Sequence, residues 1–158
     1  MKTWVFLPAY NEDESLKYLL PKLKKTVTEL SDRDMEIVVL NDGSTDQTSK
    51  VINTEASKQP ITVISHQINR GLGETERDGF EYLAKNCADE DVIVRLDCDD
   101  THEPIYIKSL LEKLSEGFDV VGTSRFRPGG YQMGVNWYRK GISISANIFM
   151  RILFGIKG

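Results

Sequence analysis

Short apolar runs alternate along the chain with longer stretches in which apolar residues recur every three or four positions. This is the pattern of repeated strand–helix units around a mostly parallel sheet. The runs predict strands over residues 3–7, 36–40, 61–65, 91–96 and 119–122, and the intervening stretches predict helices over 13–30, 45–56, 73–86 and 104–114. Leu16, Leu19, Leu20 and Leu23 form one apolar stripe, and Phe80, Leu83 and Ala84 another. A last stretch, 134–156, sets Tyr138, Ile142, Phe149, Ile152, Leu153 and Ile156 at near-helical spacing with Arg139, Lys140 and Arg151 among them. A basic amphipathic helix of this kind lies in a membrane interface or packs on a protein core.

At 158 residues the chain has the size of one domain. With 40% hydrophobic and 28% charged residues, disordered, collagen-like and disulfide-scaffold compositions are excluded. Two cysteines, Cys87 and Cys98, and an N-terminus without a secretory pattern lead us to expect reduced thiols and a cytoplasmic location. The charge-free run 141–150 is half the ~20 residues needed to cross a bilayer. All 24 acidic residues lie at or before Asp119 whereas 6 of the 20 basic ones follow it, so residues 1–119 carry −10 and the remainder +6. That tail is suited to anions, either ligand phosphates or a membrane surface. An isoelectric point near 5.3 gives nucleic-acid binding little support.

In open α/β sheets ligands bind beyond the carboxyl ends of the strands. Those ends read Pro8-Ala9-Tyr10-Asn11-Glu12, Asn41-Asp42-Gly43-Ser44, Asp97-Cys98-Asp99-Asp100 and Thr123-Ser124-Arg125. Asp97 and Asp99 flank one residue and point to the same side of an extended backbone, two like charges that call for a cation or a proton. Such oxygen donors suit Mg²⁺ or Mn²⁺ bridging a diphosphate. After the second strand, Ser44 or Thr45 serves as helix N-cap with Asp46 in the first turn. Capping leaves Asp42 unexplained, and its carboxylate is placed to accept from a nucleobase or ribose donor. Asn69-Arg70-Gly71-Leu72-Gly73 opens the third helix and is weak as a dinucleotide fingerprint, because it follows the third strand and lacks the third glycine.

FLPAYNE, IVVLNDGSTDQT, NRGLG and VRLDCDDTHEP, in this order and spacing, resemble glycosyltransferase family 2, the inverting nucleotide-sugar transferases of GT-A fold. DxDxTHxP, VVGTSRF and the region GGYQMGVNWYRKGISISANIFMRILFG narrow the likeness to the dolichyl-phosphate and polyprenyl-phosphate mannose synthases. The resemblance implies a Rossmann-like α/β fold with Pro8, Ala9, Tyr10, Glu12, Leu40, Asp42, Asp97 and Cys98 around the nucleotide. Glu12 would reach the ribose, Asp42 the base, and Asp97 the donor ribose and diphosphate. Asp99 and Thr101 would hold Mg²⁺ or Mn²⁺, and Arg125 would meet phosphate oxygens with its forked donors. Thr101 stands where relatives often carry Gln, Cys98 where they carry Ala or Gly, and Asp100 adds a further charge.

The mechanism so implied is in-line displacement at the anomeric carbon with a nucleoside diphosphate leaving group. No Asp or Glu follows Asp119 to serve a hydroxyl acceptor as base, which agrees with a polyprenyl phosphate acceptor, already an anion. Residues 1–125 are then the donor-binding core. Residues 126–158 begin an acceptor-side region that continues in the synthases, leading us to expect a truncated chain seated on the cytoplasmic face of a membrane. The alternatives are a hydroxyl-acceptor transferase of the same family in polysaccharide or glycoconjugate synthesis, and a non-catalytic nucleotide-sugar binding module.

Overall fold

A computed structural model describes residues 1–30, 34–99, 102–124 and 136–155, with the side chains of Arg139 and Lys140 also left undescribed. Met1–Phe118 forms one compact unit and Asp119–Gly158 a second. In the first, strands β1 (Lys2–Ala9), β2 (Asp34–Asp42), β3 (Ile61–His66) and β4 (Val92–Arg95) build a parallel sheet in the order β3-β2-β1-β4. Helices α1 (Asp13–Glu29), α2 (Thr48–Ala56), α3 (Leu72–Asn86) and α4 (Ile107–Leu114) connect or follow them, α4 being preceded by a 3₁₀ turn at Pro104–Tyr106. The second unit contains α5 (Trp137–Phe154), the predicted tail helix, closed by Gly155 at φ 62°. Among the described residues no helix is long and apolar enough to cross a membrane.

β1 is central, and from Thr3 onward every residue is buried, as expected of a strand covered on both faces. The period of two in a strand sorts its side chains. Val5, Leu7 and Ala9 enter one core with Leu16, Leu19, Leu20 and Leu23 of α1, Ile52 of α2, and Ile107 and Leu111 of α4. Trp4 and Phe6 enter the other, with Val38, Leu40 and Leu83 of α3. Each fully buried leucine contributes about 1.5–3 kcal/mol.

Three expectations are corrected. Residues 119–124 are irregular and Val120 is 88% exposed, so the fifth strand expected at 119–122 does not form: the run is only two valines long and leaves one of them in solvent. The α3 stripe is Thr75, Gly79 and Leu83, with Ala84 exposed and Phe80 resting edge-on against Phe6, ring centroids 5.6 Å apart. A Cβ on Gly79 would lie 2.5 Å from Phe6 Cε2, so glycine is what lets α3 settle on β1. Finally, α2 begins at Thr48 because Ser44 and Thr45 are occupied elsewhere, and Asp46 Oδ1 accepts from Thr48 N at 2.9 Å in place of either cap.

Candidate nucleotide-sugar site

The chain steps from β1 to β2 to β3 in one direction and then crosses back over α3 to place β4 on the other side of β1. The strand order therefore reverses between β1 and β4, and the crevice beyond their carboxyl ends is where such a sheet takes a ligand. The residues there are Tyr10, Asn11 and Glu12 after β1, and Asp97, Cys98 and Asp99 after β4, with the β2 tip beside them.

The β1 and β2 tips are stitched together. Asn11, at φ 53°, accepts from Thr45 N through Oδ1 at 2.9 Å, and its own N–H donates to Ser44 Oγ at 3.0 Å. Glu12 N donates to Thr48 Oγ1 at 2.8 Å and Asp13 N to Asp46 Oδ2 at 3.4 Å. Asn41 completes the set: Oδ1 accepts from Ser44 N and Ser44 Oγ, and Nδ2 donates to Ser49 Oγ at 2.8 Å. These bonds are why Ser44 and Thr45 do not cap α2.

At the β4 tip, Arg95 lies on the α3 face and bridges two carboxylates, Glu76 Oε1 at 2.8 Å and Asp97 Oδ1 at 2.5 Å. Asp97 N donates to His102 Nδ1 at 3.0 Å, which folds the following loop back onto the strand end. Asp97 is half-buried and Asp99 exposed. Cys98, between them, faces the opposite way, into the core with Ala9 and Leu96, and burial pushes its thiol well above the usual range.

Strand alternation thus divides the residues singled out in the sequence. Pro8, Leu40, Asp42 and Asp97 belong to the α3-side register of their strands, whereas Ala9 and Cys98 belong to the α1-side core. Ala9, Leu40 and Cys98 are 2%, 0% and 3% exposed, so their side chains meet protein and leave only backbone for a ligand. Tyr10 is exposed, and Glu12 Oε2 accepts from Ser15 Oγ at 2.9 Å. Thr101 and Arg125 lie outside the described residues.

Asp42, expected to meet the base, is buried among partners from β3 and the turn that follows it. Its Oδ1 accepts from Arg70 N and its Oδ2 from Gly71 N, both at 2.9 Å, and His66 Nδ1 stands 2.6 Å from Oδ1. Burial raises the pKa of this carboxyl, but the hydrogen bonds from His66, Arg70 N, Thr75 and Gly71 N outweigh it and hold the group below the usual carboxylate range. A carboxylate 2% exposed with these partners fastens the turn after β3. His66, which the sequence does not single out, is the side chain that meets both Asp42 and Asp78. Strand 61–65 was expected to stop one residue short of it, and only the register Asp42↔His66 reveals the pair.

A four-stranded parallel sheet covered by helices on both faces, with carboxylates at the strand-order reversal, is the architecture of the GT-A nucleotide-diphospho-sugar transferases. The chain belongs to glycosyl transferase family 2, whose family model matches residues 4–155. It is 35% identical over 152 residues to the dolichol-phosphate mannosyltransferase of Pyrococcus furiosus, covering 96% of this chain and 41% of that protein. It is 34% identical over 148 residues to the undecaprenyl-phosphate 4-deoxy-4-formamido-L-arabinose transferase of Proteus mirabilis, covering 92% and 42%. To the undecaprenyl-phosphate mannosyltransferase of Micrococcus luteus it is 33% identical over 159 residues, covering 99% and 61%. The chain therefore spans between 41% and 61% of the length of these relatives. Among solved structures, S. aureus TarS in complex with UDP-GlcNAc superposes with a TM-score of 0.59 at 24% identity, over 80% of this chain and 38% of that one. Glucosyl-3-phosphoglycerate synthase from Mycobacterium tuberculosis, in complex with Mn²⁺, UDP and glucosyl-3-phosphoglycerate, does so at 0.52 and 24%, over 72% and 39%. These two establish the shared fold.

Proposed function

We propose that the chain is the donor-binding part of an inverting glycosyltransferase that moves a sugar, mannose from GDP-mannose, onto a polyprenyl phosphate. The observation that carries this reading is the placement of Tyr10 and Glu12 after β1 and of Asp97 and Asp99 after β4, on either side of the strand-order reversal. The names of the relatives, which pair a polyprenyl phosphate with a sugar, support it.

In the transfer, an oxygen of the acceptor phosphate attacks the anomeric carbon. The bond from that carbon to the diphosphate oxygen breaks, and its electron pair leaves on the nucleoside diphosphate. The acceptor is already an anion, so no residue has to remove a proton from it. Pro8 and Tyr10 line the nucleotide, Glu12 meets the ribose, and Asp97 is held toward the donor by Arg95. Arg125 meets the diphosphate.

The donor set at the β4 tip fits a hard divalent cation: Asp97 and Asp99 offer carboxylate oxygens, and the one nearby thiol, Cys98, is turned into the core. Among the described residues no cluster of three ligating side chains forms. Asp99, with Thr101, would hold Mg²⁺ or Mn²⁺, which when bound offsets the negative charge of the diphosphate. Residues 126–158 begin the acceptor side, and the basic tail faces the cytoplasmic surface of a membrane.

Calorimetric titration of GDP, UDP and GDP-mannose with Mn²⁺ and with chelator tests the site. We expect binding that requires the metal, preference for the guanine nucleotides, and loss of this metal-dependent binding in Asp99→Ala. Equal affinity with and without chelator would overturn the assignment of Asp97 and Asp99.

A further inference from the structure

We propose that His66 is a positioning residue for nucleotide binding: it fixes the Asp42 carboxylate, and through it the Arg70–Gly71 turn, at the edge of the crevice. The proposal rests on the nucleotide-site reading above and goes beyond it, since His66 has no part in the chemistry of transfer.

His66 and Asp42 are register partners on the last rung of the β2–β3 pairing. The His66 side chain is 9% exposed and spans two carboxylates from different elements, with Nδ1 2.6 Å from Asp42 Oδ1 and Nε2 3.1 Å from Asp78 Oδ2 of α3. Arg70 reaches the same group, bonding Asp78 Oδ2 through Nη1 and Glu74 Oε2 through Nη2 at 3.0 Å, and Arg77 Nε stands 3.5 Å from Asp78 Oδ1. The charged groups around the ring are therefore Asp42 from β2, Arg70 from the turn, and Asp78 from α3, backed by Glu74 and Arg77.

The ring carries nitrogens on two sides, and this is how one side chain of β3 meets both the β2 carboxylate and the α3 carboxylate. Holding Asp42 in place also holds what hangs from it, the N–H groups of Arg70 and Gly71. The backbone confirms how closely this turn is drawn in. Gly43, at φ 65°, has no room for a side chain, since a Cβ there would lie 2.6 Å from Asn69 N. Burying the Asp42 carboxylate against a histidine costs desolvation that an apolar cluster would avoid. At the carboxyl edge of the sheet, that cost goes with the shape of the turn bordering the ligand crevice.

The test uses the full chain with His66→Gln, and with Asp78→Asn as a milder variant that frees only the Nε2 side. Amide hydrogen exchange is read at Arg70 and Gly71 and, as an internal reference, at Val5 and Val38 in the two cores. Affinity for GDP with Mn²⁺ is read by calorimetry. We expect exchange at Arg70 and Gly71 to accelerate at least tenfold in His66→Gln and less in Asp78→Asn, with the core amides unchanged. GDP affinity should fall about tenfold alongside, and Asp42→Asn combined with His66→Gln should lose little more than either alone. Unchanged exchange at the turn, or faster exchange with GDP affinity intact, would overturn the proposal. Wild-type chain that binds neither GDP nor UDP would instead overturn the nucleotide-site reading, with the exchange data still reporting whether His66 holds the turn.

Discussion

Asn11 and Thr45, 34 positions apart, bind the tips of neighbouring strands: Asn11 Oδ1 accepts from Thr45 N at 2.9 Å, with Asn11 in the left-handed region at φ 53°. Asparagine suits both demands, since it tolerates that backbone conformation and carries a side-chain acceptor. Asn11→Ala loses both and should cost about 1.5–3 kcal/mol, an H-bond plus left-handed strain. Asn11→Gly keeps the backbone freedom and should cost about 1 kcal/mol. Urea unfolding of the three proteins checks the order.

Gly43→Ala should be among the most damaging single substitutions in the first unit. A methyl group there meets the backbone at Ile68 and Asn69, which cannot rotate away, in a backbone conformation that alanine disfavours. Overpacking and left-handed strain together predict a loss of about 2–5 kcal/mol, measurable as a fall in the urea midpoint.

Acid should act on the first unit through Asp42 and Asp91. Asp91 accepts from Lys2 N, Trp4 Nε1 and Ala88 N, bonds that hold its carboxyl below the usual range. A folded-state pKa below the unfolded one gives stability that is complete above the unfolded value of ~3.9 and is lost as pH falls through the folded value. The urea midpoint should thus decline below roughly pH 5. Asp91→Asn should lower the midpoint at neutral pH and flatten the decline; an identical decline in wild type and variant would show that other groups control acid unfolding.

The thiols should differ in reactivity. Cys98 is 3% exposed with its thiol pushed up by burial, while Cys87 is half-buried. Under native conditions a thiol reagent should label Cys87 first and reach Cys98 only at the rate of unfolding. Labelling at Cys98 as fast as at Cys87 would mean that the β4 tip opens readily.

Liposome sedimentation tests the basic tail. Arg139→Glu with Lys140→Glu should weaken partitioning to anionic vesicles by more than tenfold, at about 1 kcal/mol per basic residue near the surface. Added salt should weaken it too, with a Debye length of ~10 Å at 0.1 M. Equal binding to neutral vesicles, insensitive to salt and to the reversal, would place apolar insertion first.

The four strands and four helices of the first unit were legible because apolar periodicity reports burial, which decides both their type and their place. Two kinds of information were not. Whether a loop residue faces the site or the core depends on strand parity carried past the strand end, which puts Asp97 on one face and Cys98 on the other. Partners far apart in sequence depend on register, and Asp42 meeting His66 requires knowing that β2 and β3 align at that rung. At 119–122 the apolar run is too short to decide, since two valines report a capacity for pairing and not the pairing itself.

Gly79 turns a packing detail into a tolerance on the whole crevice. The missing side chain sets how deeply α3 sits on Phe6, and the same helix carries Asp78 toward His66 and Glu76 toward Arg95. One seating depth therefore adjusts both rims together, the β2–β3 side through Asp78 and the β4 side through Glu76. A methyl group at position 79 would act like a shim under a lever, lifting the carboxylates of Asp78 and Glu76 by the same motion while altering neither of them.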